Sequence, residues 1–275
     1  PKASPTESVN NCPADTATRT VNQYGVDYIL VNCLGKYTLS FEGATSTSLL
    51  PADPHSGNYA YWSNKGDESD MTLSHTFDLT SVSGPVSMGY WTWYDIEKDY
   101  DYVYVEASTD GQHWTILTTP SGTASNPTGA SYGWGYTGQS NGWIHESVDL
   151  SKYVGEKVTV RFEYLTDPAV NGEGFLVDDI SVPSINYSTD FETNDSTWQA
   201  SGFVRIENTV PQTFKLGLVT HTTSGTKVQI IPVSPDQSAD IPLNIGENGV
   251  EDVVLVVTGT TRFTRILAPY QFSIH

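Results

Sequence analysis

VSMGYWTWYDIEKDYDYVYVEASTDGQHWTILTT, Val86–Thr119, decides the fold. Its runs VSMGYWTWY, DYVYVEAST and HWTILTT are rich in β-branched and aromatic residues. Asp110-Gly111, inside STDGQHW (Ser108–Trp114), supplies the positive-φ residues of a hairpin turn. The same grain extends outward through YILVNC, KYTLSFEG, YAYWS, MTLSHTFDL, KVTVRFEYL and GFLVDDISV, each bounded by Gly, Pro, Asn or Asp. The best helical candidate, DLSKYVGEK (Asp149–Lys157), is short enough to be one turn or a loop. The expected class is all-β: a jelly-roll or β-sandwich domain followed by a second, smaller β-sandwich.

Beyond Pro183–Tyr187 the composition changes. Trp falls to one, Trp198, and Val, Ile and Thr take over in FVRIEN, FKLGLVTH, KVQIIPV, ADIPLNI, DVVLVVTG and YQFSI. The expected division is therefore an N-terminal segment (1–34) with an opening strand, a jelly roll (35–184) and a C-terminal β-sandwich (185–275). SFEG at Ser40–Gly43 is echoed by TDFET at Thr189–Thr193, too briefly to count as a repeat. The first and last strands of the jelly roll are expected to be neighbours, which would bring Glu42 to Asp178 and Asp179.

Acidic residues outnumber basic ones 32 to 13 in the 275-residue chain, a net charge of −19. Such a field repels phosphate backbones and anionic membrane surfaces, so nucleic acid is excluded as a partner. No apolar run approaches the roughly 18 residues of a membrane helix, so no membrane insertion is expected. Most carboxylates must lack a Lys or Arg partner, and divalent cations are their natural counter-ions. The only two cysteines, Cys12 and Cys33, have no ligand-spaced His or Cys beside them and are expected to form one disulfide. A bridge places the chain in an oxidising compartment. The opening PKASPTESVNNCPAD has no initiator Met, basic stretch or apolar stretch, and reads as a trimmed, mature product.

No catalytic signature emerges. His145-Glu146 is followed by SVDL, so HExxH is incomplete, and GxSxG, P-loop and GxGxxG patterns are missing. The six histidines are scattered, and 32 acids make a glycosidase pair possible but unspecific. The informative acids stand at strand ends. Glu42, Asp53, Asp178 and Asp179 offer hard oxygen donors for calcium; the alternative is exposed turn residues. Adjacent strand residues point to opposite faces, so one of Asp178 and Asp179 is expected to face inward. A second acidic group comprises Asp67 and Asp70 in GDESD with Asp95, Glu97, Asp99 and Asp101 in YDIEKDYDY. An extended chain would array the last four on one face, where they repel one another unless a cation or solvent intervenes. The Gly-rich loop Ala124–Trp143 carries Tyr132, Trp134, Tyr136 and Trp143. They form either an aromatic platform for sugar faces or a cover folded over a sheet edge.

VNQYGVDYILVN, SGNYAYWSNKGDESDMTL, YWTWYDIEKDYDYVYVEASTDG, VTVRFEYLTDPAVNGEGFLVDDISVP and WQASGFVRIENTVPQTFKLGL resemble the C-terminal region of the immune inhibitor A family of secreted zinc metallopeptidases. The resemblance runs from about Val21 to the C-terminus. It implies a MAM-like jelly roll with the skeleton SFEG…SGNY…VDDI, in an accessory region following a zinc-peptidase domain. It also implies calcium, held here by Glu42, Asp53, Asp178 and Asp179. The family's zinc-binding helix and glutamate base are absent from these residues, so no catalytic residue is assigned. The expected function is a calcium-stabilised, non-catalytic accessory region of a secreted metallopeptidase that positions substrate, stabilises the enzyme or attaches it to a surface. Expected partners are the catalytic domain and a protein substrate or extracellular surface. The alternative is a carbohydrate-binding or adhesive β-sandwich.

Overall fold

The computed structural model describes residues 4–15, 18–194 and 196–275. They form an all-β protein whose few helical residues are two single 3-10 turns. One of these, Ser151–Tyr153, is the turn expected within Asp149–Lys157. The chain divides into two compact units, one combining Pro1–Pro51 with Thr209–His275, the other continuous from Ala52 to Asn208.

The continuous unit holds two antiparallel sheets. One runs Thr115–Ile116, Tyr102–Ser108, Lys157–Leu165, Asp70–Asp78, Gln199–Ser201. The other runs Ile144–Asp149, Ser87–Asp95, Gly174–Val182, Tyr59–Trp62, Val204–Glu207, with Tyr187–Thr189 also on Gly174–Val182. Along Ser87–Asp95 burial alternates, with Met88, Tyr90, Thr92 and Tyr94 inward, as a half-buried strand requires. Aromatic rings of this sheet meet Phe162 of the other: Tyr90 lies 5.1 Å from it and Phe175, on the neighbouring strand, 5.9 Å. This is a sandwich, and each such buried side chain stabilises it by roughly 1.5–3 kcal/mol. The hairpin at Asp110-Gly111 forms, with Gly111 at φ 71° and the Asp110 carboxylate accepting the Gln112 and His113 N–H groups. The strand expected in HWTILTT shrinks to Thr115–Ile116.

The discontinuous unit is a second sandwich. Its first sheet runs Glu7–Val9, Asp27–Val31, Val250–Gly259, Phe214–Thr222, Gly225–Ile231. The other runs Ala14–Asp15, Ala268–Ile274, Gly35–Gly43, Ser238–Ile245, with Arg19–Val21 beside Ala268–Ile274. Phe41, Phe214 and Tyr270 pack together, with Phe41 5.5 Å from Phe214 and 5.7 Å from Tyr270. The Cys12–Cys33 disulfide is formed in this unit, with Cα atoms 5.9 Å apart.

These units do not coincide with the divisions expected at 34 and 184. Gly35–Gly43 pairs with Ser238–Ile245 and Ala268–Ile274, and its Leu39 and Phe41 are buried in the core with the C-terminal strands. The strand expected to open the jelly roll therefore completes the other sandwich. At the other end, Phe191, Trp198 and Phe203 are buried in the core of the continuous unit, and Val204–Glu207 pairs with Tyr59–Trp62. The compositional change at Pro183 marks a local shift in residue usage, whereas membership of a sheet depends on distant pairing.

Candidate functional site

Two acidic clusters stand out in the continuous unit. The first begins where the Ser87–Asp95 strand ends. Ile96 is buried and its N–H is held by the Gly138 carbonyl at 2.9 Å, while the Asp101 N–H bonds back to the Glu97 carbonyl at 3.1 Å. Asp99, at φ 69°, lies inside this turn. The extended run that would array Asp95, Glu97, Asp99 and Asp101 on one face is therefore not formed. The turn separates them: Asp95 accepts from the Gln139 amide, the Asp99 N–H donates to Thr137, and only Glu97 and Asp101 converge.

Their third partner is Asp167, which the sequence reading did not single out. Carboxylate oxygens of Glu97, Asp101 and Asp167 all lie within 4.8 Å of one another. Sheet register brings them together. Leu165 pairs with Tyr102 on one side and Asp70 on the other, so the loop after Leu165 emerges beside Asp101 and the GDESD segment. Asp101 is 1% exposed and accepts from the Tyr164 hydroxyl (3.1 Å) and the Asp167 N–H (2.9 Å). Glu97 Oε2 is shielded from solvent without a hydrogen-bond partner among the described residues. The loop closes tightly over the site: a Cβ on Gly172 would lie 2.1 Å from the Asp95 carbonyl oxygen. Asp67 is tethered nearby, its carboxylate accepting from the Asn171 amide at 2.7 Å. Asp70, on the paired strand, is exposed.

Burial pushes the Asp101 carboxyl up to about 6, and the Asp167 and Glu97 charges add to the effect against its two hydrogen bonds. Burial also raises Glu97, followed by repulsion from Asp167 and Asp67. Unit charges about 4 Å apart interact by roughly 4 kcal/mol at an effective dielectric of 20. A cluster of three hard oxygen anions of this kind suits Ca²⁺ or another oxygen-seeking cation.

The second cluster surrounds the loop from Asp53 to Tyr59. Asp178 is fully buried and accepts the Ser56 N–H (3.1 Å) and the Asp179 N–H (2.8 Å). Burial pushes its carboxyl up to about 7, with the adjacent Asp179 charge adding to the effect against those N–H groups. Asp179 bonds to His55 Nδ1 and to the Ser56 hydroxyl, at 2.5 and 2.7 Å. Simple alternation would have sent these neighbouring carboxylates to opposite faces. Instead the pairing register shifts between Asp178 and Ser181, and Asp179 adopts φ 48°, so both carboxylates serve the same loop. Asp53 accepts from the Asn208 amide through its side chain and from the Trp143 indole through its carbonyl.

Glu42 does not join them. It lies in the discontinuous unit, where Gln271 donates to its carboxylate at 2.6 Å, and Gly35–Gly43 is not paired with Gly174–Val182. The glutamate that reaches the Asp53–Tyr59 loop is Glu192, whose Oε1 accepts the Asn58 and Tyr59 N–H groups, each at 2.8 Å. Gly57, at φ 57°, permits that approach, because a Cβ there would lie 2.4 Å from the Glu192 carboxyl carbon. The signal was the TDFET echo of SFEG. Glu192→Ala removes the acceptor of the Asn58 and Tyr59 N–H groups and is expected to lower the urea midpoint. Glu42→Ala is expected to stay within about 0.5 kcal/mol. Urea unfolding of the two variants checks this; equal losses would refute it.

The aromatic loop covers a strand edge. Tyr136 pairs through its backbone with Val103, is buried, and donates its hydroxyl to Glu146 at 2.9 Å while lying 2.6 Å from the Tyr90 hydroxyl. Trp134 and Trp143 donate their indole N–H groups to the Thr119 and Asp53 carbonyls, and only Tyr132 of the four is largely exposed, at 78%. Of the four, Tyr136 is thus withdrawn into the core, Trp134 and Trp143 are half-buried with their indole N–H groups engaged, and Tyr132 alone faces solvent.

The profile of the family described as "Immune inhibitor A-like, MAM domain" matches residues 19–208. The chain is 31% identical over 129 residues to the pre-pro-metalloprotease PrtV of Vibrio cholerae serotype O1, covering 46% of this chain and 13% of that protein. It is 33% identical over 144 residues to immune inhibitor A of Bacillus thuringiensis subsp. alesti, covering 50% of this chain and 20% of that protein. Bacillopeptidase F of Bacillus subtilis is 27% identical over 125 residues, 45% of this chain and 7% of its own length. The chain thus spans a fifth or less of these relatives.

Proposed function

The chain belongs to the immune inhibitor A-like MAM domain family, and from that premise we propose that it is a calcium-stabilised, non-catalytic accessory region of a secreted metallopeptidase. The observation that carries this reading is that the chain matches a small part of each of several far longer peptidases. The missing HExxH signature supports a non-catalytic role. The Cys12–Cys33 bridge supports an extracellular setting, where millimolar calcium suits modest-affinity sites. No described helix is long and apolar enough to cross a membrane.

Calcium is assigned to Glu97, Asp101 and Asp167, the carboxylates that already converge, with Asp67, whose charge also acts on Glu97, as a further donor. The second candidate is Asp178 and Asp179, whose carboxylates both bond to the His55–Ser56 segment, with Asp53 and Glu192 on the same loop. The partner is the catalytic domain of the same peptidase, and the role is to keep that enzyme folded in a secreted environment.

The test is made in the full-length peptidase. Asp167→Asn is expected to leave kcat on a short peptide unchanged at low temperature and to shorten the half-life at elevated temperature in calcium several-fold. Loss of kcat on the short peptide while the enzyme remains folded would overturn the non-catalytic role. An unchanged half-life would overturn calcium stabilisation.

A further inference from the structure

Four loops meet at one end of the discontinuous unit, and none of them carries an acid. They are residues 22–26, 44–48, 209–213 and 259–267, whose only charged side chains are Arg262 and Arg265. Hydrogen bonds tie them together. The Tyr24 N–H donates to the Gly259 carbonyl at 2.7 Å, and the Gln212 N–H to the Thr45 carbonyl at 3.0 Å. The Gln23 amide donates to the Gln212 side chain (2.7 Å) and the Ile266 carbonyl (3.1 Å). The Thr264 hydroxyl donates to the Ser48 carbonyl at 2.7 Å.

These fixed loops present aromatic tips. Tyr24 and Phe263 are 62% and 79% exposed, and both hold left-handed backbone, at φ 58° and 68°. Bulky residues rarely adopt that region, and they keep it where surrounding contacts over-determine it and function uses it. Val26 and Leu267, in the same two loops, are exposed too. Exposed Arg262 and Arg265 flank Phe263. The chain's net charge of −19 is unevenly divided: the discontinuous unit holds nine of the 32 acids but seven of the 13 basic residues. Asp27, the acid that follows the first loop, accepts the Tyr270 hydroxyl at 2.7 Å. Exposed charges more than about 8 Å away are largely screened at physiological ionic strength, so the two arginines dominate the field at this end.

We propose that this loop end docks on an anionic phospholipid surface, with Phe263 and Tyr24 at headgroup depth and Arg262 and Arg265 on lipid phosphates. Aromatic rings with aliphatic neighbours lodge in the interfacial layer of a bilayer, and guanidinium groups pair bidentately with phosphate. Charge complementarity selects an anionic surface. The exposed tips select a bilayer over a folded protein, which must supply a fixed complementary surface and a contact of roughly 800 Å² on each side. Docking of this kind is peripheral and independent of the calcium and accessory readings above.

Vesicle flotation of the 275-residue chain tests this, with chelator present so that calcium cannot bridge its carboxylates to lipid. Vesicles of equal phosphatidylglycerol and phosphatidylcholine are expected to bind about tenfold or more tightly than phosphatidylcholine alone, and high salt to weaken that binding. Phe263→Gly removes the ring and suits the left-handed backbone. It is expected to keep the melting midpoint and to lose affinity several-fold. An Arg262→Gln, Arg265→Gln variant is expected to lose the preference for anionic vesicles. Equal binding to the two vesicle types, or undiminished binding by both variants, would overturn docking through this end. Binding that needs calcium and survives in both variants would assign it to bridged carboxylates, with the same consequence. Association with polyglutamate but not with vesicles would assign the tips to an acidic polypeptide and overturn the proposal.

Discussion

Millimolar calcium is expected to raise the melting midpoint of the Ala52–Asn208 unit by about 5–10 °C over its value in chelator. Calcium that binds only the native state stabilises it by RT ln(1 + [Ca²⁺]/Kd), about 2.7 kcal/mol at a hundredfold excess. A domain of this size shifts by roughly 2–4 °C per kcal/mol. The physical basis is the convergence of Glu97, Asp101 and Asp167 within 4.8 Å, where ionised carboxylates repel one another until a cation intervenes. Asp167→Asn therefore has opposite effects in the two conditions. In chelator it removes one of three repelling charges and raises the midpoint; in calcium it removes a ligand and lowers it relative to the wild type. Magnesium is expected to substitute poorly, because it demands a smaller octahedron and gives up its waters reluctantly. Differential scanning calorimetry in both buffers decides the matter. Identical wild-type midpoints, or an Asp167→Asn curve displaced the same way in both, would sink the assignment.

Replacing Cys12 and Cys33 by Ala is expected to cost about 3 kcal/mol, and to act on the discontinuous unit alone. The cysteines are 21 positions apart, and closing a loop of that size restricts the unfolded chain by about this amount in the chain-entropy model. The bridge also ties the segment after Glu7–Val9 to the end of Asp27–Val31, two parallel strands at a sheet edge. Their amides are therefore expected to exchange faster in the double variant, while those of Ser87–Asp95 and Lys157–Leu165 hold their rates. Urea unfolding with hydrogen exchange provides the check. Uniform loss of protection across both units would show that the bridge stabilises the chain as a whole.

The strands were legible in the sequence because their signals are local. The alternation in SMGYWTWYD at Ser87–Asp95 follows from side chains pointing to opposite faces every second residue, and the observed burial repeats it. Asp110-Gly111 announced its turn through the same kind of short-range constraint, and an isolated pair of cysteines announced its bridge. Glu97 and Asp101 were recognisable as candidates, but their geometry was not. They meet because the chain turns back after Ile96, and the extended reading of that run missed the turn.

Sheet membership and the completed clusters were decided only in the tertiary structure. KYTLSFEG reads as a strand wherever it sits, yet it belongs with Ser238–Ile245 and Ala268–Ile274, some two hundred residues away in the chain. Glu192 rather than Glu42 reaches the Asp53–Tyr59 loop for the same reason: two similar short stretches end in different sandwiches. Asp167 reaches Asp101 because Leu165 pairs with Tyr102, and Asp178 and Asp179 share one loop because a register shift breaks their alternation. Strand identity is encoded by the local period of apolar side chains. The partner and register of each strand depend on which distant apolar faces bury one another best, and that choice placed the carboxylates.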